Sequence, residues 1–215
     1  MYKRQSIIDL AFNVRKKIKD LKQVKKVNIY SKEYTHVVMG SGSNDKEKYS
    51  PLASRETLDH SAMYIFAVAL EDGEWHHEKS YSDERKNRKT TIELWNKIET
   101  FESEKWNKKY YDEPDPIKKA QGAEVEILLN NGEKIVDQLE FANAHPSGKT
   151  PFKRPEYIKK MKPLFKDMID SKEEARFLNL IENLAKLNSN EVKQLNITCD
   201  KNKINFEKNS IKGIF

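Results

Sequence analysis

Three polar residues in the most apolar stretch of the chain have side chains that could do chemistry. Arg55 stands at the start of this stretch, and His60 and Tyr64 follow it four residues apart, so these two would share one helix face. An arginine guanidinium can hold a carboxylate by two parallel hydrogen bonds, and histidine and tyrosine can transfer protons. Polar groups on a buried helix need hydrogen-bond partners or a cavity. The three residues are therefore either satisfied capping and core residues or part of a cleft for a carboxylate ligand.

The element that must position these residues is predicted to be one helix. Ser54 has the side chain of a helix N-cap, and Gly73 is typical of a helix end. The apolar residues between them follow helical spacing, which predicts a helix of about fifteen residues. Its most buried stripe is formed by Leu58, Ala62, Ile65, Phe66 and Ala69.

Strands are predicted on both sides of this helix. Short extended segments are expected around Val27 and Ile29 and at 37–39. Residues 125–141 alternate between apolar and polar side chains, and Asn131-Gly132 in the middle of this range tolerates a positive φ angle. This stretch therefore predicts a β-hairpin.

Further helices complete the predicted fold. Residues 6–22 have apolar side chains at three- and four-residue spacing, which is typical of an amphipathic helix, and another helix is predicted near 90–98. Two more helical stripes follow Pro155. The predicted fold class is α+β, with a unit over roughly 10–145 that contains a β-hairpin and a buried central helix, followed by C-terminal helices.

The composition is that of a charged chain with a lean core. Of the 215 residues, 37% are hydrophobic and 34% are charged, and the mean hydropathy is −0.88. The longest nearly apolar stretch, Ser61–Leu70, is far shorter than the roughly 20 residues that span a bilayer. Asp9 interrupts the apolar residues near the N-terminus, so no signal-peptide core is predicted. The single cysteine, Cys199, excludes an internal disulfide. A cytoplasmic protein without membrane contact is therefore expected.

The net charge of +6 does not by itself indicate a nucleic-acid partner. Residues 35–150 carry more acidic than basic side chains, so the surplus of positive charge lies toward the two ends of the chain. The basic clusters Arg15-Lys16-Lys17 and Lys25-Lys26 alternate with apolar residues and are typical of solvated faces. No aromatic residues are interleaved with them as in a nucleic-acid motif, so no nucleic-acid partner is predicted. An RNA-binding module that uses the basic ends is kept as the alternative from another class.

Two short motifs suggest ligand sites, but their context does not support them. Gly148-Lys149-Thr150 is similar to the end of a phosphate-binding loop, yet Asn143 stands where the first glycine belongs and Pro151 follows where a helix should begin. His76-His77-Glu78 has metal-ligating side chains, but adjacent residues of an extended chain point to opposite faces. The histidine motif is interpreted as a surface loop, and neither a metal nor a cofactor is predicted.

A long motif resembles a known protein family. From Ser54 to Leu70 the chain reads SRETLDHSAMYIFAVAL and continues through Asp72-Gly73, and this stretch strongly resembles the 2-methylcitrate dehydratase (PrpD/MmgE) family. Similarity extends through Trp75-His76-His77-Glu78, the hairpin before Ala144-His145-Pro146 and the lysine-rich helix after Pro155, so it covers nearly the whole chain. The chain is similar above all to bacterial 2-methylcitrate dehydratases, and less to the related cis-aconitate decarboxylases.

The resemblance implies a metal-independent lyase without a cofactor. Its reaction would be the elimination of water from 2-methylcitrate, a small tricarboxylate, to give 2-methyl-cis-aconitate in the methylcitrate cycle of propionate catabolism. A cis-aconitate decarboxylase of the same family is the alternative activity. A homodimer of the intact subunit is an arrangement that the resemblance allows.

The resemblance also implies a domain organisation. The family subunit has a large helical domain and a smaller α+β lid, with the active site in the cleft between them. Residues 1–11 would then be the end of the helical domain, 12–148 the lid, and 149–215 a C-terminal segment that belongs to the helical domain. The chain would be the C-terminal part of a longer subunit.

The site residues follow from the same resemblance. Tyr64 aligns with a tyrosine that points into the family cleft, so Tyr64 and His60 are expected to be catalytic and Arg55 to bind substrate. The other acid–base residues of the family lie upstream of the part that this chain matches. The isolated chain is therefore expected to be inactive.

Overall fold

A computed structural model describes residues 2–166 and 168–199 of the chain. Contacts divide the chain into two compact units, Met1–Pro151 and Phe152–Phe215. Residues 200–215, the end of the predicted C-terminal segment, lie outside the described residues. Within the described part, no helix combines the length and the apolar character needed to cross a membrane. The domain boundaries predicted at 11–12 and 148–149 rest on the resemblance and stay predictions.

The first unit contains six helices and four strands in its described residues. The helices are α1 (Tyr2–Arg15), α2 (Arg55–Asp59), α3 (Ala62–Asp72), α4 (Asp83–Lys86), α5 (Lys89–Trp95) and α6 (Glu104–Tyr111). The strands are β1 (Val24–Ser31), β2 (Ile98–Glu102), β3 (Ala123–Leu129) and β4 (Lys134–Leu139). All four strands form one mixed sheet, which confirms the predicted α+β class.

The sheet has the strand order β2-β1-β3-β4. Strand β1 is parallel to β2 and antiparallel to β3, and β3 and β4 form the predicted hairpin. In this hairpin Ile127 lies opposite Ile135. Gly132 in the connecting turn has a φ angle of 87°, which lies in the left-handed region that favours glycine.

One face of the sheet forms the core together with α1 and α3. Val27 of β1 and Val125 of β3 point to this face and are fully buried. Helix α3 is buried from Ala62 to Leu70, as expected for a helix that is apolar on all sides. The opposite face of the sheet carries charged side chains, including an ion pair of 2.7 Å between Lys26 Nζ and Glu99 Oε2.

The prediction of a single helix between Ser54 and Gly73 is wrong, because the structure has two helices there. The Ser54 hydroxyl caps α2 as expected, and Gly73 ends α3 with a φ angle of 70°. Helix α2 ends at Asp59, and His60 is its C-cap residue. The Ser61 hydroxyl then accepts the backbone N–H of Tyr64 at 3.1 Å and is the N-cap of α3. This second N-cap breaks the apolar stretch, so His60 and Tyr64 do not share a helix face.

Two other local predictions need correction. Helix α1 ends at Arg15, not near residue 22, because Asp20 caps a separate 3-10 turn. The segment Thr35–Met39, predicted as extended, is a π-helical turn. After it, the Ser41 hydroxyl accepts the Thr100 N–H at 3.0 Å and donates to the Thr100 carbonyl at 3.1 Å, so this loop covers the free edge of β2.

The helix predicted near 90–98 is α5, and the strand that follows it, β2, was not predicted.

A buried ion-pair network lies at the C-terminal end of α3. The Arg85 side chain is only 5% exposed, and its guanidinium donates to Glu71 Oε2 at 2.9 Å and to Asp72 Oδ2 at 2.7 Å. Thr90 and Thr91 also donate to the Glu71 carboxylate. Burial alone would raise the pKa of Glu71, but these hydrogen bonds and the charge of Arg85 outweigh it, so the pKa lies below its ordinary value.

We expect this network to make the protein less stable in acid. Because the pKa of Glu71 is lower in the folded than in the unfolded chain, its stabilising contribution is complete above the ordinary pKa of 4.5 and is lost as the pH falls through the folded pKa. Urea unfolding at a series of pH values would measure this loss. The loss should be smaller in Glu71→Gln than in the wild type, and the same pH dependence in both would contradict the expectation.

In its described residues, the second unit contains three α-helices. They are α7 (Arg154–Phe165), α8 (Ser171–Glu182) and α9 (Ser189–Val192), and the first two confirm the helices predicted after Pro155. Phe165 and Phe177 contact each other edge to face, with ring centroids 6.1 Å apart. None of the residues described in this unit is buried, and Leu164 and Leu184 remain about half exposed, at 53% and 50%. Among the residues that the structure describes, the unit therefore presents apolar surface that they do not cover.

Candidate functional site

The three predicted site residues lie close together in the chain but in different environments. Arg55 is the first residue of α2 and is exposed, and His60 ends the same helix and is also exposed. Tyr64, in the first turn of α3, is fully buried. His60 Nδ1 lies 3.0 Å from the Glu56 carbonyl oxygen, and no hydrogen bond among the described residues joins it to Arg55 or Tyr64. The structure therefore leaves His60 apart from the other two.

Both the hydroxyl and the ring of Tyr64 have contacts inside the first unit. Its hydroxyl donates to the Ser80 carbonyl at 2.6 Å, and its ring packs edge-on against Trp95 with centroids 4.9 Å apart. Burial raises the pKa of Tyr64 to about 12, against a smaller lowering effect of the Arg85 charge. Tyr64 therefore keeps its proton at neutral pH, and its raised pKa makes it a weaker acid than an ordinary tyrosine.

The turn that covers Tyr64 is held by His76. Its Nδ1 accepts the backbone N–H groups of Glu78 at 3.1 Å and Lys79 at 3.2 Å. The backbone N–H of His76 in turn donates to the Ser80 hydroxyl at 2.9 Å. These bonds fix the Ser80 carbonyl over the Tyr64 hydroxyl. The histidine motif predicted as a surface loop thus shapes a turn above a buried tyrosine.

Tyr81 joins the predicted residues to others that sequence reasoning missed. The centroid of its ring lies 6.0 Å from the Tyr64 centroid and 5.3 Å from Cζ of Arg55. Its hydroxyl donates to Asp59 Oδ1 at 2.5 Å and accepts from Arg4 Nη1 at 3.1 Å. Arg4 also forms an ion pair with Asp59. Arg55 and Tyr64 therefore meet at Tyr81 and not along one helix face.

Both arginines at this place act on the same phenol. Burial raises the pKa of Tyr81, and the charges of Arg4 and Arg55 partly offset this effect. The Arg55 guanidinium is anchored by a hydrogen bond of 2.8 Å from Nη2 to the His77 carbonyl. We call Arg4, Arg55, Asp59 and Tyr81 the Tyr81 cluster. Two guanidiniums around a protonated phenol are suited to bind a carboxylate and to give it a hydrogen bond.

Two concave places in the described part lie away from the predicted residues. A cavity of about 360 Å³ lies near the ends of α1 and α3 and is lined by Arg15, Leu21, Glu71, Glu93 and Lys97 among others. Arg4 and Tyr64, by contrast, lie in the first turns of these helices. No group of three or more metal-ligating side chains occurs in the described residues. The Tyr81 cluster is therefore the candidate site.

Comparison with models of known protein families shows to which family the chain belongs. The family model described as MmgE/PrpD C-terminal domain matches residues 1–186. The chain belongs to the MmgE/PrpD C-terminal domain family. This agrees with the resemblance carried by the stretch from Ser54 to Leu70. The match includes the whole Tyr81 cluster and both long helices of the second unit. Membership of the MmgE/PrpD family supports a dehydratase-type role.

Proposed function

We propose that the chain is part of a hydro-lyase that removes water from 2-methylcitrate to give 2-methyl-cis-aconitate. The observation that carries this proposal is the meeting of Arg55 and Tyr64 at Tyr81 within a chain of the MmgE/PrpD family. A substrate with three carboxylates needs cationic groups that bind it and a group that protonates the leaving hydroxyl. The cluster offers two guanidiniums and the Tyr81 phenol for these tasks, and Tyr64 beside it offers a second phenol.

The proposed roles follow the chemistry of the elimination. A base removes the carbon-bound proton, the electron pair of that bond forms the double bond, and the carbon–oxygen bond breaks as the hydroxyl leaves. Tyr64 protonates the leaving hydroxyl to give water, and Arg55 binds a carboxylate of the substrate. His60 is proposed as a second residue that transfers a proton. In this role the Tyr64 hydroxyl exchanges the Ser80 carbonyl for the substrate, which requires the turn around Ser80 to move.

The proposal includes a helical domain that works with this chain. The open apolar surface of α7 and α8 supports it, because such surface is usually covered by another protein segment. This domain would supply the base that the elimination requires. Under this proposal 12–148 act as a lid, while 1–11 and 149–215 belong with the helical domain.

The experiment that tests the proposed function compares the isolated chain with the complete subunit. We expect the 215-residue chain alone to leave 2-methylcitrate unchanged, and the complete subunit with its helical domain to form an unsaturated tricarboxylate. Ultraviolet absorbance of the new double bond follows the reaction. Turnover by the chain alone would show that no further domain is needed. Binding of arbitrary RNA in a salt-dependent way, without turnover by either protein, would favour the RNA-binding alternative.

A further inference from the structure

The Tyr81 cluster already contains a bound carboxylate, which belongs to the protein itself. Asp59 accepts the Tyr81 hydroxyl proton at 2.5 Å and forms an ion pair with Arg4. The side chains of Arg4 and Asp59 are both about one-third exposed, at 34% and 31%. A guanidinium and a phenol thus hold one carboxylate at a place that solvent reaches.

The charges of the cluster do not balance. Arg4 and Arg55 bring two positive charges and Asp59 brings one negative charge. Arg55 uses Nη2 for the neutral His77 carbonyl, while its charge acts on the Tyr81 ring at 5.3 Å. The neighbouring Glu56 is exposed, and its carboxylate forms hydrogen bonds with its own backbone and with Ser54. The cluster therefore keeps a net positive charge, which attracts an anionic ligand.

We propose that Arg4, Arg55 and Tyr81 form a carboxylate-binding subsite that Asp59 occupies until a carboxylate of the ligand displaces it. The inference deepens the proposed function and rests on it for the ligand class, a small polycarboxylate. Asp59 is then an internal competitor: it keeps the two arginines and the phenol in place, and it lowers the affinity for the ligand. The ligand carboxylate takes over the contacts that Asp59 releases to solvent, so the number of ion pairs in the subsite is unchanged.

The test is the affinity of the full chain for citrate, used as the probe and measured by isothermal titration calorimetry at pH 7. Asp59→Asn keeps the shape of the side chain and removes its charge. We expect this variant to bind citrate about fivefold more tightly than the wild type, the size of effect that a part-exposed ion pair supports. Glu104→Gln removes the same charge from an exposed pair with Lys108 on α6 and should leave the affinity unchanged.

A second pair of variants covers the case in which Asp59→Asn does not fold. Tyr81→Phe removes only the hydroxyl, and Arg4→Gln removes one guanidinium. Each should weaken citrate binding several-fold while the circular dichroism spectrum stays that of the wild type. The proposal is overturned if citrate does not bind the wild type, if Asp59→Asn binds no more tightly than Glu104→Gln, or if Tyr81→Phe binds as the wild type does. The proposed function is judged separately, by turnover in the complete subunit.

Discussion

Replacing Tyr64 with phenylalanine is expected to lower the turnover of 2-methylcitrate by the complete subunit by about 10²–10⁴-fold. The reason is the role proposed for this phenol, which is to protonate the leaving hydroxyl. Its pKa of about 12 means that the proton is present at neutral pH. The ring would remain between Trp95 and Tyr81, so the core loses little packing. The measurement is kcat together with KM, because loss of proton transfer lowers kcat more than it changes KM.

Tyr49 provides a matched control for this experiment. Its hydroxyl donates to the Ile98 carbonyl at 2.8 Å, and burial raises its pKa to about 12, as for Tyr64. Its ring also stacks on Trp95, with centroids 6.4 Å apart. Tyr49→Phe therefore removes a tyrosine hydrogen bond to a backbone carbonyl at a partly buried place and should leave kcat unchanged. An equal kcat in Tyr64→Phe and the wild type would assign Tyr64 to packing alone.

Replacing Arg85 with methionine is expected to destabilise the first unit by about 3–5 kcal/mol. Arg85 pairs with both Glu71 and Asp72 and hydrogen-bonds Thr91. Methionine would fill the space, but Glu71 would lose its cation and Asp72 would keep only the exposed Arg88. Leaving one partner of a buried ion pair uncompensated costs far more than a surface pair contributes. Urea unfolding of the full chain measures the change.

Arg88 is the matched control for Arg85. It also pairs with Asp72, at 3.5 Å, but its side chain is 45% exposed. Arg88→Met should therefore cost no more than about 1 kcal/mol. If the two variants lose equal stability, the burial of Arg85 does not matter and the account of this network is wrong.

The elements predicted correctly are those that local pattern decides. The hairpin of β3 and β4 follows from alternating side chains and from a glycine in its turn, and both signals lie within a few residues of each other. The break between α2 and α3 was missed because the apolar spacing continues across it. Ser61 is the signal that could have revealed it, since serine is also a good N-cap inside an apolar run.

The candidate site could be predicted only in part. Arg55 and Tyr64 stand out in the sequence because their polar groups lie in an apolar stretch, and their roles stay predictions. Their meeting place, Tyr81, was missed, because its partner Arg4 lies 77 residues away in the sequence and no local pattern records such a contact. Asp59 lies inside the motif, but its role depends on these distant partners.

Product analysis with 2-methylcitrate that carries a heavy oxygen isotope in its tertiary hydroxyl shows whether the complete subunit is a dehydratase. The complete subunit is incubated with this substrate, and the products are identified by mass spectrometry. Our account predicts that the label leaves as water and that the remaining product, 2-methyl-cis-aconitate, keeps every carbon atom of the substrate. Release of carbon dioxide, or label retained in unchanged substrate, would contradict it.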